Sequence, residues 1–344
     1  MRSTFYFLIC LLLSSCATIQ YIGIETYNPA EITFPEHVNK VLIVHNAVPQ
    51  PDQAGYEYNL FGVLQDTCRA KADSALFDAA RTLGKAIAEE GYFEDVLLYH
   101  EMTRTDNAYL ADTKLTQEQV RELCVANDVE AVISIDRLLF NMKKQVSRFA
   151  GGFVTGLIDV EIIGTVRAYL PSRENALTTV LVKDSIGWGE HAMDLEDLSQ
   201  VLPDPETALR TAGNYMGLAI FTNFVPHWQN SVRWYYTGMT TTWKEASAFV
   251  STEKWENAMN RWKSIYEKSS SGKEKAKSAS NIALAYEVNT DLEKAHEWAK
   301  IAYELFKKNK GEEAKETQLQ EAYMNTLAER IRSNTKLNIQ FGQQ

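Results

Sequence analysis

Lys40-Val41-Leu42-Ile43-Val44-His45 is the stretch that decides the fold. Four apolar, mostly β-branched residues stand between its ends with no polar residue among them. A strand with one wet face alternates apolar and polar side chains, so an unbroken run of this length reads as a strand buried on both faces. Pro49, Pro51 and Gly55 mark a polar connection after it. Residues 74–90 then carry Leu76, Phe77, Ala80, Leu83 and Ile87 at helical spacing, and Gly91 stops them. Residues 95–99 form a second strand. Thr116-Gln117-Glu118-Gln119 fits a capping box, in which the Thr oxygen and the Gln side chain satisfy free amides of the first turn. The helix it opens runs to about Asn127, and residues 130–135 supply a third strand. Strands separated by helices predict βαβ units and a partly parallel sheet.

The pattern changes further along. Residues 157–170 and 177–188 alternate apolar and polar, with Pro171-Ser172-Arg173-Glu174-Asn175 between them, which predicts an antiparallel hairpin with one wet face. Residues 205–225 return to helix with Pro205 at the start, and 231–236 read as a last strand. Residues 30–240 are thus expected to be a mixed α/β domain. The order of strands and helices resembles the amino-terminal domain of TolB and the related lipoprotein domains of the curli secretion channel and penicillin-binding-protein activators. More narrowly, Asn28-Pro29-Ala30-Glu31-Ile32 leading to Pro35 and the 40–44 strand resemble an uncharacterised lipoprotein family of Bacteroidetes, in which helical repeats follow the α/β part. That resemblance brings no known activity.

Self-similarity appears after Thr240. Trp255-x-x-Ala258-x-x-x-Trp262-x-x-Ile265 lines up with Leu292-x-x-Ala295-x-x-x-Ala299-x-x-Ala302, and Ala246 with Phe249 stands upstream of the first as Ala283 with Tyr286 does of the second. This resembles the tetratricopeptide repeat, where small residues sit at helix crossings and large ones fill between. Ala258 to Ala295 is 37 residues, against ~34 in that repeat, and the Ser269-Ser270-Ser271-Gly272 turn accommodates the excess. Residues 241–332, with a capping helix over 312–332 carrying Leu319, Tyr323 and Leu327, are expected to be all-α, and 333–344 a tail. In the repeats this region resembles, the first helix of each hairpin lines a groove for partners. Carried to matching positions, that implies Trp243 and Ser247 in the first repeat, and Lys277, Ser280, Leu284 and Glu287 in the second.

At the amino terminus Arg2 precedes an unbroken apolar run from Phe5 to Leu13, about half the ~20 residues a bilayer span needs, which is the pattern of an export signal. Leu13-Ser14-Ser15-Cys16 resembles the lipobox of bacterial lipoproteins, in which the Cys receives a thioether-linked diacylglycerol and becomes the first mature residue. The resemblance implies a signal at 1–15, three acyl chains at Cys16 and a tether over 16–29. Ala17-Thr18-Ile19-Gln20-Tyr21 lacks the acidic residues that follow Cys in surface lipoproteins of Bacteroidetes, so an outer-membrane anchor facing the periplasm is expected.

The chain has 344 residues, 45% of them hydrophobic and 23% charged, enough for about two domains with full cores. Its net charge of −10 argues against a nucleic-acid partner. Beyond the signal only Cys68 and Cys124 remain; a disulfide and two buried thiols are both open. The six histidines, His37, His45, His100, His191, His227 and His296, show no metal-ligand spacing, and no nucleophile-elbow or phosphate-loop motif occurs, so neither metal nor cofactor is expected. Gly187-Trp188-Gly189-Glu190-His191 is the one segment where acid–base chemistry is considered, with Glu190 and His191 as the pair. Asp136 and Arg137 close the third strand where ligands of parallel sheets bind, and a structural ion pair is the competing reading. Asp73-Ser74-Ala75 and Asp184-Ser185-Ile186 resemble the short O-glycosylation signal of exported Bacteroidetes proteins. Taken together, these features predict a non-enzymatic, lipid-anchored envelope scaffold that offers its repeats to a protein or peptide partner. An envelope hydrolase or a glycan or lipid binder at the sheet rim is the rival.

Overall fold

The computed structural model describes residues 19–65, 69–149 and 151–342. The expected signal, Cys16 and Cys68 lie outside them. In chain order the elements are β1 (Ile19–Asn28), β2 (Lys40–His45), β3 (Tyr56–Leu60), β4 (Val63–Gln65), α1 (Asp73–Glu89), β5 (Asp95–Leu98), α2 (Gln117–Asn127), β6 (Ala131–Arg148), β7 (Val154–Tyr169) and β8 (Thr178–Ala192). There follow α3 (Leu195–Val201), α4 (Pro205–Ile220), β9 (His227–Tyr236), α5 (Thr241–Val250), α6 (Trp255–Lys268), α7 (Gly272–Val288), α8 (Leu292–Lys310) and α9 (Lys315–Gln340). The chain is a mixed α/β part followed by a run of helices. It divides into two compact units, residues 29–227 with 337–342, and residues 19–28 with 228–336.

In the first unit β2 pairs in parallel with β5 on one side and with the start of β6 on the other. Its unbroken apolar run follows from that central place. Val41 and Ile43 pack into the core against α1 and α4, while Leu42 and Val44 pack with Val120 and Cys124 of α2 on the opposite face. The Thr116 capping box forms as expected, with its side chain accepting from Gln119 N. Helices α1 and α4 meet at close range because α4 has no side chain at the crossing. A Cβ on Gly213 would stand 2.3 Å from the Ala75 carbonyl oxygen, and one on Gly217 2.7 Å from that of Ala79.

Three features of this unit differ from the sequence reading. The third strand does not stop at 135 but continues to Arg148 as an 18-residue β6, paired along its whole length with β7. The polar connection after β2 contains the β3–β4 hairpin, with β3 in parallel with the far half of β6. Residues 333–344, expected as a tail, carry α9 to Gln340. There the Gln340 amide accepts from Ala30 N at 3.1 Å and donates to the Ala30 and Ile32 carbonyls at 3.0 Å each. A side chain able to satisfy buried main-chain groups on both its donor and acceptor ends fixes that segment in place.

In the second unit, α5 to α8 stack as successive antiparallel pairs, and α9 closes the far side through Tyr323 and Leu327. Ala246, Ala258, Ala283 and Ala295 are all fully buried. The expected tether is instead strand: residues 19–28 form a two-stranded ribbon with β9. Tyr235 Oη lies on Gln20, and Thr26 and Asn28 bond to Gln229, so the two strands run antiparallel. Ile24 and Thr26, both turned inward, give β1 the alternation of a strand with one buried face.

Candidate functional site

The face of α7 that the repeat resemblance would make a groove is covered by β9. Asn281 of α7, fully buried, accepts from Tyr236 N through Oδ1 at 2.7 Å and donates to Tyr236 O through Nδ2 at 2.7 Å. One side-chain amide therefore reads both main-chain groups of one residue in an extended strand. Two turns along α7, the Glu287 carboxylate accepts from Arg233 of β9 through Nε at 3.0 and 3.1 Å and Nη2 at 2.9 Å. It also accepts from Tyr323 Oη at 2.7 Å and from Arg330, both on α9. Glu287 has no exposed side-chain surface, and burial together with the Glu287 charge drives the Tyr323 hydroxyl well above its ordinary pKa. Aromatic contacts of Trp234 with Tyr323, Tyr235 with Trp262 and Tyr236 with Phe306 complete the seat.

Of the six residues expected to face a partner, Trp243, Lys277, Leu284 and Glu287 lie against or cluster with this internal occupant. Trp243 is 2% exposed and lies in the core, its ring so close to Gly238 that a Cβ there would stand 2.5 Å away. Ser280, Leu284 and Glu287 are likewise buried. Ser247 is half-buried and donates to the Trp243 carbonyl. Lys277, also half-buried, stands with Nζ 5.5 Å from the Tyr236 ring, and burial lowers its pKa. The expectation of a free surface is corrected at Trp243, Leu284 and Glu287, which are buried with β9, and at Ser280, which is buried; Ser247 and Lys277 keep partial exposure. Asn281, Arg233 and Arg330 carry no sequence signal, and Tyr323 is marked only as a packing residue of the capping helix, because a repeat pattern marks helix crossings and says nothing about what covers the first helices.

The second polar cluster lies in the α/β unit at the carboxyl ends of β2 and the parallel part of β6. Asp136 is fully buried there and accepts from Ser134 Oγ at 2.7 Å, Asn46 Nδ2 at 3.2 Å, Arg167 Nη1 at 2.7 Å and Tyr169 Oη. Arg167 also forks onto Asp112 at 2.7 and 2.8 Å. Burial pushes the Asp136 carboxyl up against these bonds, whereas the Arg167 guanidinium holds Asp112 below the usual carboxylate range. Asp136 is thus an ion-pair residue, and its partner is Arg167 on β7, not its neighbour Arg137. A cleft of about 300 Å³ opens beside it, lined by Tyr99, Met102, Thr103, Leu115 and Gln119 among others.

Glu190 and His191 do not converge. They are consecutive in β8, so their side chains leave opposite faces of the sheet. Both are exposed, and His191 Nδ1 lies 2.9 Å from Thr155 Oγ1. Ser74 and Ser185 are exposed as well. Cys124 is a free buried thiol, pushed up to about 11 by burial. Among the described residues no three His, Cys, Asp or Glu side chains are placed to share a metal ion, and no helix is long and apolar enough to cross a membrane. Residues 38–236 match the family described as Domain of unknown function (DUF8603), and residues 244–329 match that described as Domain of unknown function (DUF6340). No curated protein matches the chain.

Proposed function

Because the chain belongs, through residues 38–236, to the family described as Domain of unknown function (DUF8603), which carries no activity to transfer, we propose a function from its own residues: a non-enzymatic, lipid-anchored envelope scaffold whose helical unit is held at the membrane to receive a protein partner. One observation carries this reading. Strand β1 starts three residues after Cys16 and is built into the helical unit through β9, Asn281 and Glu287. An acyl anchor at Cys16 therefore holds the helices themselves, with no long linker between.

The lipobox at 13–16 and the uncharged residues after it support an outer-membrane anchor facing the periplasm. The helical pairing with buried alanines supports a tetratricopeptide-like arrangement, the strand order supports kinship with the TolB amino-terminal and curli-secretion lipoprotein domains, and residues 28–44 support kinship with an uncharacterised lipoprotein family of Bacteroidetes. Since β9 covers that face of α7, a partner meets the outer faces of the helices. Against the rival hydrolase stands the opposed direction of Glu190 and His191; the cleft beside Asp136 is the place a small glycan or lipid would be sought.

Photo-crosslinkers at exposed Lys244, Lys300 and Glu304 of the helices, introduced one at a time in living cells, test the proposal. A discrete cross-linked envelope protein from the helical positions, absent when the same probe replaces exposed Glu174 of the α/β unit, is the expected result. No cross-linked species from any helical position in a correctly processed, folded protein would overturn the scaffold reading.

A further inference from the structure

The anchor leaves the helical unit at a particular end. Gln20, near the start of β1, sits on Tyr235 at the finish of β9. Next to it, Tyr236 packs on Phe306 near the carboxyl end of α8, and Lys277 near the amino end of α7 lies over its ring. A Cβ on Gly272 would meet the Asn309 side chain, so the start of α7 and the finish of α8 are neighbours. This end therefore gathers Lys268 from the last turn of α6, Lys273 and Lys275 from the first turn of α7, and Lys307, Lys308 and Lys310 from the last turn of α8. Two of these are neutralised within the unit, Lys307 by Glu312 and Lys310 by Glu316. Among the described residues no carboxylate pairs with Lys268, Lys273, Lys275 or Lys308. Tyr21 and Met239, 75% and 70% exposed, flank the same end.

Charge in the two units is unequal. Residues 228–336 hold 18 Lys and Arg against 15 Asp and Glu, whereas residues 29–227 hold 16 against 29. The same turns and the loop after α8 also carry Glu267, Glu274 and Glu313, so the lysine-bearing end keeps a small cationic excess on an acidic chain.

We propose that this end of the helical unit lies on the bilayer and takes anionic phospholipid headgroups through Lys268, Lys273, Lys275 and Lys308, with Tyr21 and Met239 at the interfacial layer. The inference rests on acylation of Cys16. Its physical basis is reach. Three residue steps from Cys16 to Ile19 span at most ~11 Å however they are arranged, close to the ~8–10 Å over which surface charges act in physiological salt. A lysine cluster at the anchored end is within the field of an anionic surface, and one at the opposite end is not. Exposed aromatic and flexible apolar side chains at the water–lipid boundary add to such contacts.

The test uses the full-length acylated protein inserted into the outer leaflet of preformed vesicles of phosphatidylethanolamine with phosphatidylglycerol. A membrane-impermeant amine reagent modifies exposed lysines, and mass spectrometry compares each site with the protein in detergent. Lys268, Lys273 and Lys308, all exposed, should label at least about fivefold less on the vesicles, the factor that ~1 kcal/mol per lysine near an anionic surface implies. Lys254 and Lys294, at the opposite ends of α6 and α8, should be unchanged. High salt or phosphatidylcholine vesicles should restore the labelling. If the protein floats with the vesicles yet all these lysines label as in detergent, the inference is overturned while the anchor stands; equal protection on phosphatidylcholine overturns the headgroup recognition. Failure to float, with no acyl mass on Cys16, removes the anchor reading and this inference with it.

Discussion

Replacing Glu287 with Ala is the sharpest perturbation of the seat that holds β9. The carboxylate is fully buried and serves Arg233, Arg330 and the Tyr323 hydroxyl. Its loss leaves two guanidinium groups, 11% and 17% exposed, with no counter-charge in contact. Removing one partner of a buried pair costs ~3–5 kcal/mol, because the remaining charge stays desolvated. The orphaned Tyr323 hydroxyl adds ~1–3 kcal/mol if no water reaches it. For a unit of this size 1 kcal/mol corresponds to roughly 4 °C or more, so a fall of at least ~12 °C in the helical unit's Tm is expected. Glu287→Gln, which keeps an acceptor but loses the charge, should fall between Glu287→Ala and the parent. Circular dichroism at a helical wavelength follows the melt, and hydrogen exchange localises it. Residues 19–28 and 228–236 should lose protection before α7 does, since the ribbon depends on this latch. A loss under ~1 kcal/mol, the size of an exposed ion pair, would refute the claim that Glu287 holds β9 against α7.

Three further outcomes follow from the packing. Trp243→Ala should destabilise the helical unit by ~3–5 kcal/mol, as for a large core aromatic, and a melt unchanged from the parent would return Trp243 to a free surface. Gly213→Ala places a methyl 2.3 Å from the Ala75 carbonyl and should cost the α/β unit ~1–3 kcal/mol by overpacking, read by denaturant unfolding. His45, half-buried near His100, has its pKa lowered by burial and then by the His100 charge. The unfolded chain therefore binds that proton first, and stability present above about pH 6.5 falls as pH drops toward the folded pKa. His45→Gln should flatten that acid limb of the stability curve, and an unchanged slope would contradict the assignment.

The layers of the α/β unit were legible because burial on two faces and burial on one face leave different periodicities. The apolar run at 41–44 and the alternation at 157–170 each specified its place. Strand β6 was cut short because Arg137, Asn141, Lys143 and Lys144 interrupt the apolar pattern where the strand leaves the two-sided core. Pairing continues there through main-chain bonds to β3 and β7, to which side-chain pattern is blind. Strand β1 has the composition of a strand: Ile-Gln-Tyr-Ile-Gly-Ile-Glu-Thr-Tyr is rich in β-branched and aromatic residues. Its position next to a segment that resembles a lipidation signal favours a tether, and its partner β9 lies some two hundred residues away. Glu287 and Arg233 show the same limit, since no local pattern announces that a helix carboxylate meets a distant strand. The Asp136 cluster was half visible: the strand end pointed to it, but Arg167 and Tyr169 come from the next strand of the hairpin.

The central claim is that Cys16 anchors a helical unit built around the strand that follows it. Mass spectrometry of the amino-terminal peptide from protein purified from its native membrane tests this most directly. The account predicts a peptide beginning at Cys16 and carrying the mass of a diacylglyceryl group and a third acyl chain; an unmodified peptide beginning at any other residue would contradict it.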